Sequence, residues 1–389
     1  MGKTVVLMEW FENFTCPGGD CGLTCCCDDW KIALTDKEVT DYKNNKSEFS
    51  KRFIDAIDFD KKSFKYHNGK CAMLNDKGYC DIVLNLGEEY LSTTCATFPR
   101  EERDFNFMGE MYTEIVCPLV SERLFDNKKM EFSFVEIEAD DVEINPEEAN
   151  YVLNMFSFRT ALIEALQNDP GENIHGKVFL VANAYEYMKN ILASRDVGKD
   201  DVDVYNEKYL TGAALANIYN SCEKFAEMKS EKADYWLSVF FDLYEAKAIE
   251  IIFRILRKNH KYIEDKILGW RENLSEYRKC FEGYRNYLKE NYPYFEQNYF
   301  IYSLFINWID LDKENFGNKL CGRFVELILF HLCGMAIYDK GEFDVKEFSV
   351  SIAAIDRAMT HSANVLYECG KSFSDIMKNE PICIMKSLV

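Results

Sequence analysis

Five cysteines lie within twelve residues near the start of the chain, in the stretch FTCPGGDCGLTCCCDDW from Phe14 to Trp30. Nine of the fifteen cysteines lie between Cys16 and Cys117, and most of these stand beside turn-forming residues, as in CPGGDC, GKC and NDKGYC. Glycine lets the backbone curl around a metal ion with its amide groups directed at sulfur. The pattern therefore predicts a metal site built from thiolates.

The spacing of these cysteines does not identify the metal. Four thiolates satisfy either zinc or an iron-sulfur cluster. The sequence contains neither the CxxC pairs of a zinc ribbon nor a CxxxCxxC motif, although Cys21 and Cys25 have the first spacing of the latter. Cys25, Cys26 and Cys27 are adjacent, so their side chains point in different directions and would not all bind one centre. The residues alone leave zinc and iron open.

A turn is expected to bring two of the thiols together. Asn75-Asp76-Lys77-Gly78 is typical of a hairpin turn between Cys71 and Cys80. Outside this N-terminal set, free cysteines in helical, apolar surroundings are expected to pack as small hydrophobic residues. These are Cys222, Cys280, Cys321, Cys333, Cys369 and Cys383. The five histidines form no cluster in the sequence, and His67 alone lies near the cysteines, where we expect no ligand role for it.

The order of the motifs resembles the flagellin lysine-N-methylase family. The motifs are FTCPGGDCGLTCC, GKCAMLNDKGYC, LGEEYLSTTCATFPR and the Cys117-Pro118 pair; in addition, PYFEQNYFIYSLF is similar to that family's Glu-Asn-Tyr helix. The resemblance implies an enzyme that transfers methyl groups from S-adenosylmethionine to lysine ε-amines of flagellin and holds a 4Fe-4S cluster on N-terminal cysteines. Carried over by position, the implied metal ligands are Cys16, Cys21, Cys25, Cys26, Cys71, Cys80, Cys95 and Cys117.

One departure from the family pattern concerns the CCC run. The family has one cysteine pair, followed after two residues by a tryptophan, whereas this chain has three adjacent cysteines before Asp28, Asp29 and Trp30. Counting forward from Cys21 favours the pair Cys25 and Cys26, and counting back from Trp30 favours Cys26 and Cys27. Both assignments stay open.

The methyl donor needs an unusual binding mode, because no GxGxG motif follows a predicted strand. A cluster with three cysteine ligands leaves one iron open, and our hypothesis is that the amino and carboxylate groups of S-adenosylmethionine fill it. Arg100 is a candidate for gripping the donor carboxylate. An equally good interpretation is an ion pair between Arg100 and Glu101 or Glu102.

The methyl acceptor must lose a proton, since a free lysine has a pKa of about 10.4. An apolar pocket or a neighbouring base would achieve this. Candidates for the catalytic role are Glu296, Asn298 and Tyr299 in the tyrosine-rich helix, where aromatic residues at helical spacing are more often part of a core.

Composition restricts the partners and the location. The net charge of −20 disfavours nucleic acid, whose phosphates require a basic surface, and suits a lysine-bearing polypeptide such as flagellin. The first residues lack the apolar core of a secretory signal. The most apolar run, Phe324 to Tyr338, carries Glu326 and His331 and is too short to span a bilayer. We expect a cytoplasmic protein with no membrane segment and with reduced thiols.

The predicted fold is mainly α, with an N-terminal cysteine-rich α+β metal-binding domain (residues 1–145) followed by an all-helical, substrate-binding domain (146–389). Alternating residues from Met130 to Ile144 predict a strand, and Asn145-Pro146 predicts the start of a helix. Apolar stripes predict further helices in 235–256, 271–288, 294–308, 319–337 and 345–366. The alternative function is a zinc-stabilised, non-enzymatic interaction module that docks a partner with its helices.

Overall fold

The computed structural model describes most of the chain. The described residues are 2–16, 32–138, 144–168, 174–227, 232–244, 247–311, 316–361 and 365–378. Helices dominate, which confirms the mainly α prediction, and the described strands all lie before residue 139. The metal-binding character of the N-terminal part stays a prediction.

A four-stranded mixed sheet organises the N-terminal part of the chain. Its strands, in chain order, are β1 (Gly2–Met8), β6 (Arg100–Asp104), β7 (Met108–Thr113) and β8 (Phe132–Glu138), and their spatial order is β6-β7-β1-β8. β1 is parallel to β7, with Thr4 opposite Met108, and antiparallel to β8, with Met8 opposite Phe132. The first seven-residue strand is therefore central, and β6 and β8 form the two edges.

Between β1 and β6 the chain leaves the sheet and builds a small unit, residues 32–97, which we call the cysteine lobe. Its elements are α2 (Asp36–Lys43), α3 (Ser50–Ala56), β2 (Ile57–Asp58), β3 (Ser63–Phe64), β4 (Tyr66–His67), β5 (Lys70–Cys71), α4 (Asp81–Leu86) and α5 (Thr93–Thr97). The lobe has its own apolar core around Tyr42, Phe53 and Met73. A reciprocal cap between Thr35 and Glu38 begins α2.

The helical part begins where the sequence predicts it. The Asn145 side chain accepts from the backbone N–H of Glu147 and caps α7 at Pro146. The short helices α1 (Glu9–Glu12) and α6 (Pro118–Ser121) precede it. The others are α7 (Pro146–Gln167), α8 (Ile174–Leu192), α9 (Lys199–Tyr205), α10 (Gly212–Glu227), α11 (Lys232–Tyr244), α12 (Lys247–Trp270), α13 (Leu274–Asn291), α14 (Phe295–Asn307), α15 (Phe316–Tyr338), α16 (Val345–Thr360) and α17 (Val365–Lys378).

Helix α14 lies at the centre of the main core and is buried from Phe295 to Phe305. Two arginines connect its C-terminal end to the sheet. Arg103 on β6 donates to the carbonyls of Ile306 and Ile309, and Arg159 on α7 donates to the carbonyl of Phe305 at 2.8 Å. Both arginines also pair with buried Glu110 on β7. Carbonyls that a helix leaves without partners at its end are thus satisfied by side chains of the sheet and of α7.

Among the described helices, one segment, Asn318–Tyr338 in α15, is long and apolar enough to span a membrane by length and composition. Its most apolar window is completely buried inside the protein. α15 crosses α17 closely, since a Cβ on Gly370 would lie 1.7 Å from the carbonyl oxygen of Asn318. Packing in the core therefore accounts for the apolar character of this helix.

Candidate functional site

Three of the predicted ligand cysteines lie around the core of the cysteine lobe. Cys71 ends β5 and is buried, Cys80 stands at the N-cap of α4, and Cys95 lies in α5. The predicted hairpin turn is confirmed: the N–H of Gly78 donates to the carbonyl of Asn75 at 2.9 Å, and a β-bridge pairs Leu74 with Cys80. The turn thereby returns the chain from Cys71 to Cys80.

Tyr42 lies in the core of the cysteine lobe, against which the partly buried Cys80 and Cys95 pack. Burial raises the pKa of Tyr42, and the nearby charges of Glu38, Cys95 and Cys80 raise it further. The Tyr42 hydroxyl donates to the carbonyl of Tyr90 at 2.9 Å. The hydrogen bond thus fixes the Tyr42 side chain in the core on which both cysteines pack.

The other predicted ligands are placed differently. Cys117 precedes α6 and is buried in the main core, and Cys16 is exposed after α1. Cys21, Cys25 and Cys26, together with the alternative Cys27, lie outside the described residues. Within the described part of the chain, no three histidine, cysteine, aspartate or glutamate side chains are grouped to hold a metal ion. The thiol chemistry suits iron or zinc, but the complete ligand set stays a prediction.

Arg100 connects β6 to the segment that leads to Cys16. Its guanidinium donates to the carbonyl oxygen of Phe14 at 2.6 Å and lies over the rings of Phe14 and Phe11, 5.2 and 5.8 Å from their centroids. A guanidinium stacks well on aromatic faces and donates in its own plane at the same time. In this arrangement Arg100 positions the approach to Cys16, and its predicted contact with a donor carboxylate stays a prediction.

An acid-base group lies at the same end of β6 and was not found from the sequence. The Nε2 atom of His361, directly after α16, is 3.3 Å from a carboxylate oxygen of Glu114. Burial lowers the pKa of His361, but the hydrogen bond and the charge of Glu114 outweigh burial and leave the pKa above its ordinary value. Although Glu101 on β6 is exposed, partial desolvation of its carboxylate and the charge of Glu114 raise its pKa. We call Glu101, Glu114 and His361 the acidic group.

No local sequence signal pointed to the acidic group, because His361 and Glu114 are far apart in the chain. The backbone N–H of Glu114 donates to the carbonyl of Pro99 at 2.9 Å, which holds Glu114 at the end of the β6–β7 pair. The two carboxylates and the imidazole are partly accessible to solvent. Together they can attract a cation and accept a proton from it.

The three catalytic candidates of α14 each have a buried partner. Glu296 pairs with Arg285 and lies 3.5 Å from Nε2 of His331. The Asn298 amide donates to backbone carbonyls of the segment after α6, among them that of Asp126 at 3.3 Å. These contacts hold α14 in the core and leave the two side chains little access to a polypeptide substrate.

Tyr299, the third candidate, belongs to a buried ionic group. Its hydroxyl contacts a carboxylate oxygen of Glu326 at 2.6 Å, and Arg323 bridges Glu326 at 2.7 Å and Asp356 at 2.6 Å. One guanidinium thus faces two carboxylates in the core. Burial and the charge of Asp356 raise the pKa of Glu326 to about 8 against the opposing effect of Arg323.

Comparison with known protein families shows to which family the chain belongs. The family model described as the FliB lysine N-methylase C-terminal domain matches residues 159–385, more than half of the sequence. The chain belongs to this family. The resemblance to flagellin lysine-N-methylases drawn from the motifs is thereby confirmed.

Three curated relatives match this FliB-family chain over about a third of its length. It is 27% identical over 133 residues to the flagellar biosynthetic protein FliU of Salmonella muenchen, a match that covers 32% of this chain and 78% of FliU. It has the same identity over 133 residues to the lysine-N-methylases of Salmonella choleraesuis and Salmonella typhimurium. The matches cover 32% of this chain and only 33% of each lysine-N-methylase. No solved structure matches the chain.

The FliB family match divides the candidate site. It begins at Arg159 and includes α14, the buried ionic group and His361. The cysteine lobe, Arg100 and the two carboxylates Glu101 and Glu114 lie before the matched residues. The acidic group therefore joins one residue from the family domain to two from the sheet.

Proposed function

We propose that the protein transfers methyl groups from S-adenosylmethionine to lysine ε-amines of a flagellar protein, flagellin. The observation that carries this proposal is the match of residues 159–385 to the FliB lysine N-methylase C-terminal domain. The names of the relatives support it, since two are lysine-N-methylases and one is a flagellar biosynthetic protein. The net charge of −20 suits a lysine-bearing substrate.

The acidic group is the best candidate for receiving the lysine side chain. A lysine with a pKa of about 10.4 arrives as an ammonium ion and cannot act as a nucleophile until it loses a proton. The carboxylates of Glu101 and Glu114 attract the ammonium, and the group offers a proton acceptor on the same surface. The exposure of Glu101 lets a polypeptide side chain reach it, in contrast to buried Glu296.

The N-terminal cysteines are proposed to hold a 4Fe-4S cluster. Its usual ligands are four cysteine thiolates, and nine cysteines lie between Cys16 and Cys117. Cys71, Cys80 and Cys95 would contribute from the lobe, and Cys16 from the segment that Arg100 positions. When bound through only three of these four cysteines, the cluster would supply an open iron for the amino and carboxylate groups of S-adenosylmethionine. Arg100, Phe11 and Phe14 would keep the Cys16 segment against the sheet.

A methylation assay tests the function. Anaerobically purified protein is incubated with recombinant, unmethylated flagellin and methyl-labelled S-adenosylmethionine, and label is followed to individual lysines by mass spectrometry. We expect methylated lysines only when enzyme, donor and flagellin are all present. Transfer of no label to flagellin by protein that binds iron and S-adenosylmethionine would exclude this activity.

Matched variants test the acidic group in the same assay. We expect Glu114→Gln to lower the rate by about 100-fold, the low end for a general acid-base group, and to shift the pH profile of kcat/KM. Glu102→Gln removes an exposed carboxylate on β6 and should leave both the rate and the pH profile unchanged. Equal rates and pH profiles for the two variants would remove the acidic group from the mechanism.

A further inference from the structure

Strand β8 is an edge strand of the sheet among the residues that the structure describes. β8 pairs with β1 over its whole length, and none of the described residues forms a strand on its other side. The strand becomes exposed beyond Ser133, with Phe134 62% and Ile137 37% accessible to solvent. Unpaired backbone groups along an edge are a template for pairing with another extended chain.

The register identifies which backbone groups face the open side. The N–H of Glu9 donates to the carbonyl of Glu131 at 3.0 Å, and the same register continues with Met8 opposite Phe132. Residues of an antiparallel strand alternate between those that exchange hydrogen bonds with the neighbour and those that face away. Because Glu131 faces β1, so do residues 133, 135 and 137. The N–H and C=O groups of Phe132, Phe134, Glu136 and Glu138 therefore face the open edge.

The charge of this edge selects the partner. Glu136 and Glu138 are exposed, and the sequence has no lysine or arginine between Glu131 and Phe158. Two copies of β8 would bring like charges together, which disfavours pairing between copies of this chain. An extended segment that carries lysines would instead place cations beside Glu136 and Glu138. The other edge strand, β6, includes Arg100 and Arg103 and lacks this uniform charge.

The start of β8 is also joined to the segment that leads to Cys16. The Ser133 hydroxyl donates to a carboxylate oxygen of Glu12 in α1 at 3.2 Å, and Lys128 pairs with Glu9 at the start of the same helix. A chain paired with β8 would thus lie along the side of the sheet from which α1 leads toward the cysteines. The acidic group lies toward the opposite edge of the sheet, on β6 and just after β7, so the lysine to be methylated would lie outside the segment paired with β8.

We propose that the open edge of β8, Phe132–Glu138, adds an extended, lysine-bearing segment of the flagellin substrate as a further strand of the sheet. The identity of this partner rests on the proposed function, but binding at the edge is separate from methyl transfer. Main-chain hydrogen bonds to residues 132, 134, 136 and 138 would provide affinity. Glu136 and Glu138 would select lysine-bearing segments, and exposed Phe134 would contribute apolar contact.

Hydrogen exchange tests the pairing directly. The probe is monomeric flagellin, and exchange is read at single amides by mass spectrometry with non-ergodic fragmentation. Flagellin should slow exchange at the outward amides of Phe134 and Glu136 at least tenfold, whereas the amide of Val135, which already faces β1, should change less. Unchanged exchange at Phe134 and Glu136 under conditions that saturate flagellin binding would overturn the proposal.

Binding constants of paired variants provide a second readout. Glu136→Pro removes an outward N–H, and Glu136→Ala keeps it, so proline should weaken flagellin binding at least fivefold relative to alanine. Glu138→Lys should weaken binding at least fivefold at low salt, and Glu102→Lys, with the same change of charge on β6, less than twofold. Equal affinities of Glu138→Lys and Glu102→Lys would contradict the proposal even if the proline variant does not fold.

The two proposals fail in distinguishable ways. Flagellin that is methylated at full rate by Glu136→Pro and Glu138→Lys, with unchanged binding, would refute the role of the edge and leave the methyl-transfer proposal intact. Edge-dependent flagellin binding by a protein that methylates no lysine would support the edge and refute the methyl-transfer proposal. Absence of any flagellin binding by the unaltered protein would overturn the edge proposal.

Discussion

Replacement of Glu326 by glutamine tests the buried ionic group most directly. Arg323, Glu326 and Asp356 are each at most 3% exposed, so one buried guanidinium faces two buried carboxyl groups. Burying a second uncompensated anion is costly, and a proton on one carboxyl group removes that cost. Burial and Asp356 accordingly raise the pKa of Glu326 from its ordinary value of 4.5 to about 8.

The sign of the pH dependence follows from this raised pKa. Between pH 4.5 and 8 the folded protein keeps the Glu326 proton, and the unfolded chain releases it. The free energy of unfolding contributed by this proton is fully present below pH 4.5 and is lost as the pH rises through about 8. One proton changes the free energy of unfolding by about 1.4 kcal/mol per pH unit. From pH 5.5 to 7.5 the expected loss is therefore about 2 to 3 kcal/mol.

Glutamine has the shape of the neutral carboxyl group and does not titrate. We expect Glu326→Gln to fold and to remove this pH dependence, so that its free energy of unfolding rises by about 2 to 3 kcal/mol relative to that of the unaltered protein between pH 5.5 and 7.5. Urea unfolding under reducing conditions, followed by circular dichroism, measures both. Glu102→Gln, at an exposed site, should run parallel to the unaltered protein. A parallel curve for Glu326→Gln would show that Glu326 is ionised in the folded state and would refute the reasoning.

Two further predictions concern packing and metal. Gly370→Ala should destabilise the protein by about 3 kcal/mol, because its Cβ would lie 1.7 Å from the Asn318 carbonyl oxygen. Gly269→Ala should instead stabilise it by about 0.5 to 1 kcal/mol, because a Cβ at Gly269 would have no atom within 4 Å. The midpoints of urea unfolding compare the two variants. Cys95→Ser should remove most bound iron, measured per chain by elemental analysis, whereas Cys333→Ser should keep it and cost about 1 to 3 kcal/mol of stability. Loss of iron only from Cys333→Ser, or equal stability of the two glycine variants, would contradict these expectations.

Local sequence determined several elements of the structure. Asn145 and Pro146 specify the start of α7, since a capping side chain and a proline suit the first turn. The Asn75–Gly78 turn is equally local: Gly78 adopts a φ of 84°, a conformation that glycine reaches without steric cost. The alternation from Met130 to Ile144 predicted β8, observed from Phe132 to Glu138. In each case the signal lies within a few residues of the feature.

Helix boundaries were less well determined, although helical character was. The stripe over residues 235–256 corresponds to two helices, α11 and α12, on either side of residues outside the described part. The stripe over 345–366 likewise corresponds to α16 and the start of α17. An apolar periodicity continues past the end of α16 because α17 packs on the same core, so the period alone does not locate that end.

Contacts between residues that are far apart in the sequence were decided only by the tertiary structure. The central position of β1 depends on β7, about a hundred residues away, and pairing at that distance leaves no local pattern. The same holds for His361 beside Glu114, which created the acidic group. The polar residues of α14 suggested chemistry in the sequence, yet the fold pairs Glu296 with Arg285 and Tyr299 with Glu326 inside the core. Residue type determines which reactions a side chain can perform, but burial and neighbours, which only the fold supplies, determine whether a substrate can reach it.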